Sequence, residues 1–177
     1  MIYQTIKILV VLAMSISLIG CHRKEQEPQK VRHLHTTQKV DTIAMAKLQF
    51  NRQMTEAADQ ACNAFVEKDL YEYTKHIDGF WYTKTTTKNS KPVQKGQELL
   101  LNLQINELNG ETILETKDFH HVVGNGDLPR AITRSLHTMN IGEEMRIIAP
   151  WYTAYGVNGT NIVQPYSNLL ITLTIQE

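Results

Sequence analysis

One pattern limits this chain more than any other: a two-residue hydrophobic alternation that starts in its middle, is interrupted once, and returns at its end. In "GQELLLNLQINELNG" the residues Leu99, Leu101, Leu103 and Ile105 fall on one side, and Glu98, Asn102, Gln104 and Asn106 on the other. Successive side chains of a strand point to opposite faces, so this is a half-buried β-strand. Asn109-Gly110 follows it, a dipeptide suited to a tight hairpin. The last residues repeat the pattern, with Leu169, Ile171, Leu173 and Ile175 alternating with Leu170, Thr172 and Thr174, and Met145–Ala149 is a shorter strand before them. Upstream, "LYEYTKHIDGFWYTKTTTK" arranges Tyr71, Tyr73, Phe80 and Tyr82 about Asp78-Gly79, a second predicted tight hairpin.

"GDLPRAITRSLHTMNIGEE" is the interruption. Ala131, Ile132, Ser135, Leu136 and Met139 recur at helical spacing, Asp127 is placed to cap, and Pro129 falls in the first turn, where a missing N–H does no harm. Asn140 and Gly142 end the helix. An antiparallel sheet with one apolar face must cover it, and this short helix is the available cover. The fold class expected is α+β, a twisted antiparallel sheet wrapped around one short helix.

A longer helix is predicted ahead of the sheet, over Ile43–Lys68 with Asp41-Thr42 as its cap. Met54, Ala57, Ala61, Ala64 and Phe65 make its apolar stripe, and Arg52, Gln53, Glu56 and Glu67 its polar face. Such a helix either lies on the main domain or pairs with a second copy of the chain. Cys62 reads as a small buried apolar residue within it. The domain plan is a leader over 1–20, a tether over 21–40, the helix and a hairpin strand over 41–78, and the sheet domain over 79–177.

The leader carries one early charge, Lys7, and then an apolar run from Ile8 to Ile19, too short for a permanent membrane span. Its end, Leu18-Ile19-Gly20-Cys21, resembles the bacterial lipobox. That resemblance implies cleavage before Cys21 and acylation of its sulfur, and two or more acyl chains hold a protein stably on a bilayer. Residues 22–40 are too charged and too poor in apolar residues to bury a core of their own. Without residues 1–20 the chain has 17 basic and 18 acidic residues, a balance that argues against nucleic acid as partner. His33 and His35 lie on the tether and His120 and His121 on opposite faces of a strand, so neither pair is expected to hold a metal. No cofactor is expected.

Five strings in order complete the reading: "KGQ" entering a strand, "LNG" at its hairpin, "FHHVVGNGDLPRAI" entering the short helix, "MNIGEE" leaving it, and "AYGVNG" after the next strand. Together they resemble the macrolide-binding, FKBP-type peptidyl-prolyl isomerases over roughly Pro92 to Glu177. With the lipobox and the preceding helix, the chain is most similar to that family's gliding-motility-associated lipoproteins. The resemblance implies a cleft between the concave sheet face and the helix start, roofed by the loop that carries Tyr155. Phe119 and Tyr155 match the family's catalytic aromatics. The substrate-binding positions fall on Leu103, Ile113, Leu114, Leu128, Pro129, Ile132, Ile162 and Ile171. Trp151 and Tyr152, on the approach to Tyr155, are expected to pack that loop down.

The implied chemistry needs no nucleophile. Rotation about an X–Pro bond breaks C–N resonance, a barrier of about 18–20 kcal/mol. A dry apolar cleft disfavours the planar amide relative to the twisted one, while hydrogen bonds orient the flanking carbonyls. Two positions depart from the family. Leu114 stands where it has an aspartate, and Pro129 removes a backbone donor at the helix start; each lost hydrogen bond costs about 1 kcal/mol. The expected activity is therefore isomerisation of proline-containing or unfolded polypeptides, by a lipoprotein of the outer membrane facing the periplasm. The alternatives are a peptide-holding module with little catalysis, and a structural envelope protein assembled through its helix.

Overall fold

The computed structural model describes residues 42–85 and 91–176. The predicted leader, the predicted lipidation site at Cys21, the predicted tether and the predicted Asp41 cap lie outside the described residues. The elements, in chain order, are α1 (Thr42–Val66), β1 (Thr74–Lys75), β2 (Trp81–Lys84), β3 (Glu98–Glu107), β4 (Thr112–Val122), α2 (Arg130–Leu136), β5 (Glu144–Ala149) and β6 (Leu169–Ile175). All six strands form one antiparallel sheet in the order β1-β2-β5-β6-β3-β4. No described helix is long and apolar enough to cross a membrane.

Alternation in β3 and β6 becomes the core. Leu101, Ile105, Ile171, Leu173 and Ile175 are buried on the concave face together with Ala131, Ile132 and Leu136 of α2. The other face is not left to solvent throughout. Helix α1 lies there, and Cys62 joins Trp81, Ile148 and Leu170 in a second, smaller cluster that Phe65 and Val66 flank. Two helices therefore cover the sheet, one on each side, where the pattern of α2 alone suggested one.

The docked face of α1 differs from the predicted stripe. Ala58 and Cys62 are buried and Met54 and Phe65 half-buried, whereas Ala57, Ala61 and Ala64 face solvent. Alanine is apolar enough to mark either face. The larger neighbours decide, and the small Ala58 and Cys62 let the helix approach the sheet closely. Both hairpins also depart from two-residue turns. At His76–Phe80 and at Glu107–Glu111 the loop holds three residues, with only the last of them, Gly79 (φ 92°) or Gly110 (φ 93°), in the left-handed region. Asp78 and Asn109 stay at negative φ, which gives a type I turn closed by a glycine bulge. The first hairpin is short, and Tyr71 and Tyr73 precede its strand rather than joining it.

Candidate active site

Strand β4 carries two of the expected site residues on one face by means of an irregularity. Leu114 and Phe119 are five residues apart, so strict alternation would put them on opposite faces. Their partners show otherwise: Leu114 pairs with Ile105, Thr116 with Leu103, and Phe119 with Leu101, all on the core side. Between them Lys117 and Asp118 together oppose Asn102, a β-bulge that rephases the strand. Asp118 takes φ 54° there and donates its N–H to Asn102 Oδ1 at 3.2 Å, and Gln176 Nε2 bridges Asn102 Oδ1 and Asp118 Oδ1 at 2.7 Å each. A second shift leaves Ile113 between the pairs Ile105–Leu114 and Asn106–Thr112.

Downstream of β4 the chain turns through Gly124 and Gly126 into α2. Asp127 does not cap this helix. Its carboxylate faces Asn125 Nδ2 at 3.3 Å and His121 Nδ1 at 3.1 Å instead. The residue at the N-cap is Pro129 (φ −52°, ψ 153°), with no side-chain cap. Leu128, before proline, is disfavoured in the helical region, and with Pro129 itself at ψ 153° the helix begins at Arg130. The second N–H after the proline is put to use within the fold: Ala131 N–H donates to the Thr153 carbonyl at 2.9 Å.

Thr153 belongs to the long connection from β5 to β6, which holds Tyr155. Tyr155 packs half-buried against the main core, as do Ile113, Leu114, Phe119, Leu128 and Ala154. Leu103, Ile132 and Ile171 lie in that same core, and Ile132 and Ile171 have no exposed surface. They form the floor under the half-buried side chains. Pro129 is buried at the helix entrance, and Ile162 is 55% exposed on the loop, outside this group. The result is a ledge of half-buried apolar side chains on one core, contributed by Leu114 and Phe119 on the edge strand β4, Leu128 before α2 and Tyr155 on the β5–β6 loop. A cavity of about 390 Å³ lies elsewhere, lined by Ala61, Leu108 and Pro165–Asn168 on the α1 side.

The hydroxyl of Tyr155 differs from those of its neighbours on the loop. Tyr152 and Tyr166, on the same loop, donate to Asp59 Oδ1 and Asn51 Oδ1. Among the described residues no hydrogen bond is made by the Tyr155 hydroxyl. Burial pushes its pKa above the ordinary value, so the group is protonated and able to donate at neutral pH. His121 lies at the rim, 3% exposed, its ring stacked on Phe119 with centroids 6.4 Å apart. Its Nδ1 is at ion-pair distance from Asp127 yet off the hydrogen-bond line, and Nε2 has no partner. The pairing of His121 with Asp127 was not foreseen in sequence; only the shared face of Leu99 and His121, given the β3–β4 register, could have indicated it. No group of three or more His, Cys, Asp or Glu among the described residues could hold a metal ion.

The family described as FKBP-type peptidyl-prolyl cis-trans isomerase matches residues 84–176, more than half of the chain. This protein belongs to that family. Solved structures agree on the fold of this FKBP-type protein. FkpA from Escherichia coli is 16% identical with a TM-score of 0.61, over 77% of this chain and 64% of that one. AtFKBP13 is 18% identical with a TM-score of 0.56, over 60% and 98%. The peptidyl-prolyl cis-trans isomerase from Pseudomonas syringae pv. tomato DC3000 is 20% identical with a TM-score of 0.57, over 70% and 94%. The FKBP-type chain thus spans less than two thirds of the length of FkpA. No curated protein matches it.

Proposed function

We propose that this FKBP-type protein isomerises X–Pro bonds in exported polypeptides on the ledge between Tyr155 and Phe119. The observation that carries the reading is the free, protonated hydroxyl of Tyr155 set beside half-buried apolar side chains. A proline ring seated on Leu114, Leu128 and Phe119 would lose water around the amide, and the Tyr155 hydroxyl would donate to a flanking carbonyl. Both effects favour the twisted amide over the planar one. The test is a proline-tetrapeptide exchange assay on the full chain in detergent. Tyr155→Ala should cut kcat/KM by about tenfold or more, given what removal of one preorganised donor and its packing costs. A rate equal to buffer in the unaltered chain, or an unchanged rate in Tyr155→Ala, would remove the proposal.

Leu114 supports a second reading. With an apolar side chain where the family has an aspartate, the ledge is better suited to gripping unfolded chain than to polarising a carbonyl. Binding of unfolded protein without acceleration would select this holding role.

The site on the envelope is part of the same proposal: a lipoprotein of the gliding-motility-associated kind, acylated on Cys21 and held at the outer membrane facing the periplasm. The mass of the purified chain reads the acyl groups directly, and an unmodified Cys21 would remove the anchor. Pairing of two copies through α1 completes it. Met45 (45% exposed) and Leu48 (67%) leave apolar surface near the start of the helix. Sedimentation that stays monomeric at rising concentration would exclude pairing.

A further inference from the structure

The connection from Pro150 to Asn168 is long for a loop without strands, and loops of this length in a compact domain are usually functional. It is closed at its base by Trp151 N–H donating to Asn168 Oδ1 at 3.0 Å. Inside it, Gly156 N–H donates to Trp151 O at 2.8 Å and Tyr166 N–H to Gly156 O at 3.1 Å, both at the residue that follows Tyr155. On the site side it is tied through Thr153 O to α2 and through Tyr155 to the core. Its other side is held by α1. Trp151 Nε1–H donates to Met54 O at 3.1 Å, Tyr152 donates to Asp59, and Tyr166 donates to Asn51 Oδ1 at 2.9 Å. Phe50 meets the Tyr166 ring edge-on with centroids 5.6 Å apart, and Tyr166 meets Trp151 at 4.9 Å.

Gly79 of the first hairpin also meets Tyr152, and Glu107 accepts from Ser167 Oγ at 2.9 Å, but the three ties to Trp151, Tyr152 and Tyr166 come from residues spread over more than two turns of one helix. The matched family region starts at residue 84, so α1 lies wholly outside it. From this geometry we infer that α1 positions the active-site loop. Asn51 and Asp59, through Tyr166 and Tyr152, fix the direction of the Tyr155 hydroxyl and so set the isomerase rate. This role rests on the proposed activity. Asn51 and Asp59 touch no substrate; they are positioning residues, acting through a loop that would otherwise sample many conformations.

The test uses the full chain in detergent. The double variant Tyr152→Phe, Tyr166→Phe removes two hydroxyls and no packing, and Asn51→Ala with Asp59→Ala approaches the same bonds from the helix. Each pair should lower kcat/KM by about tenfold, as displacement of a catalytic group does, and speed hydrogen exchange at the Gly156 and Tyr166 amides. Asp59→Asn, which keeps an acceptor, should recover most of the rate. In a Tyr155→Phe background the helix substitutions should change the rate by less than about twofold, because coupled residues are not additive. Full additivity in that background, or unchanged exchange at Gly156 and Tyr166, overturns the positioning role while leaving the isomerase reading intact. No rate above buffer in the unaltered chain removes the isomerase reading itself, and this role with it.

Discussion

Tyr152, Tyr155 and Tyr166 share one loop and one side-chain chemistry, and their hydroxyls serve two purposes. Those of Tyr152 and Tyr166 are bound by carbonyl and carboxylate oxygens of α1; that of Tyr155 stays available over the ledge. Trp151, costly to leave in water, is buried and donates to the helix backbone. The aromatic cluster is thus mostly an anchor, and one member of it is presented to the site. Gly159 matters for the same loop. It sits at φ 60°, and a Cβ there would lie 2.3 Å from Val163 O and 2.8 Å from Gln164 C and Pro165 N. Those atoms are backbone and cannot rotate away, and the left-handed conformation alone costs other residues about 1–2 kcal/mol. Gly159→Ala should lower the thermal midpoint by about 5 °C or more, the expected scale for roughly 2 kcal/mol in a domain of this size. A midpoint within a degree of the parent would mean that the loop does not adopt this turn.

At the scale of elements, the strands were legible because burial on one face writes itself into alternation: β3 and β6 run where Leu99–Ile105 and Leu169–Ile175 placed them. Helix α2 was legible for the same reason, since Ala131, Ile132, Ser135 and Leu136 are all buried. What the pattern did not carry depends on partners distant in sequence. The bulge at Lys117-Asp118 leaves no composition signal, yet it decides that Leu114 and Phe119 share a face. The docked side of α1 is set by Trp81, Ile148 and Leu170 in the sheet, which alanine spacing cannot sense. Cys62 shows the consequence: it is fully buried in that contact, and burial, the largest influence, pushes its thiol up to about 12. A thiol so placed is inert until the helix lifts. The site residues Phe119 and Tyr155 were readable only through family strings, because a half-buried aromatic on a ledge and one in a core leave the same mark in sequence.

At the scale of the whole molecule, Glu143 and Asp69 are among the carboxylates that join segments far apart in the chain, and both bear on how the fold responds to acid. Glu143, with no exposed side-chain surface, accepts from Asn140 N–H at 2.9 Å, Asn140 Nδ2 at 3.0 Å and Lys84 Nζ at 3.3 Å, linking the turn before β5 to β2. Asp69, in the link from α1 to β1, accepts from Tyr73 at 2.6 Å, Leu70 N–H at 2.8 Å and Arg146 Nη2 at 3.1 Å, joining that link to β5. Burial raises the pKa of each, but the donors outweigh it, and both carboxyls are held below their ordinary values. A carboxyl with a lower pKa folded than unfolded binds its proton less tightly in the native state. Its stabilisation is therefore complete above the unfolded values, about 3.9 for Asp and 4.3 for Glu, and is lost as pH falls through the folded ones. Urea unfolding should show little contribution from these two groups to any pH dependence above about pH 5 and a steep loss below about pH 4. Glu143→Gln keeps the shape but not the titration, so its stability should be lower at neutral pH and fall less steeply in acid, by up to about one proton. An acid slope identical to the parent's would mean that the link between β2 and the β5 turn does not depend on the charge of Glu143.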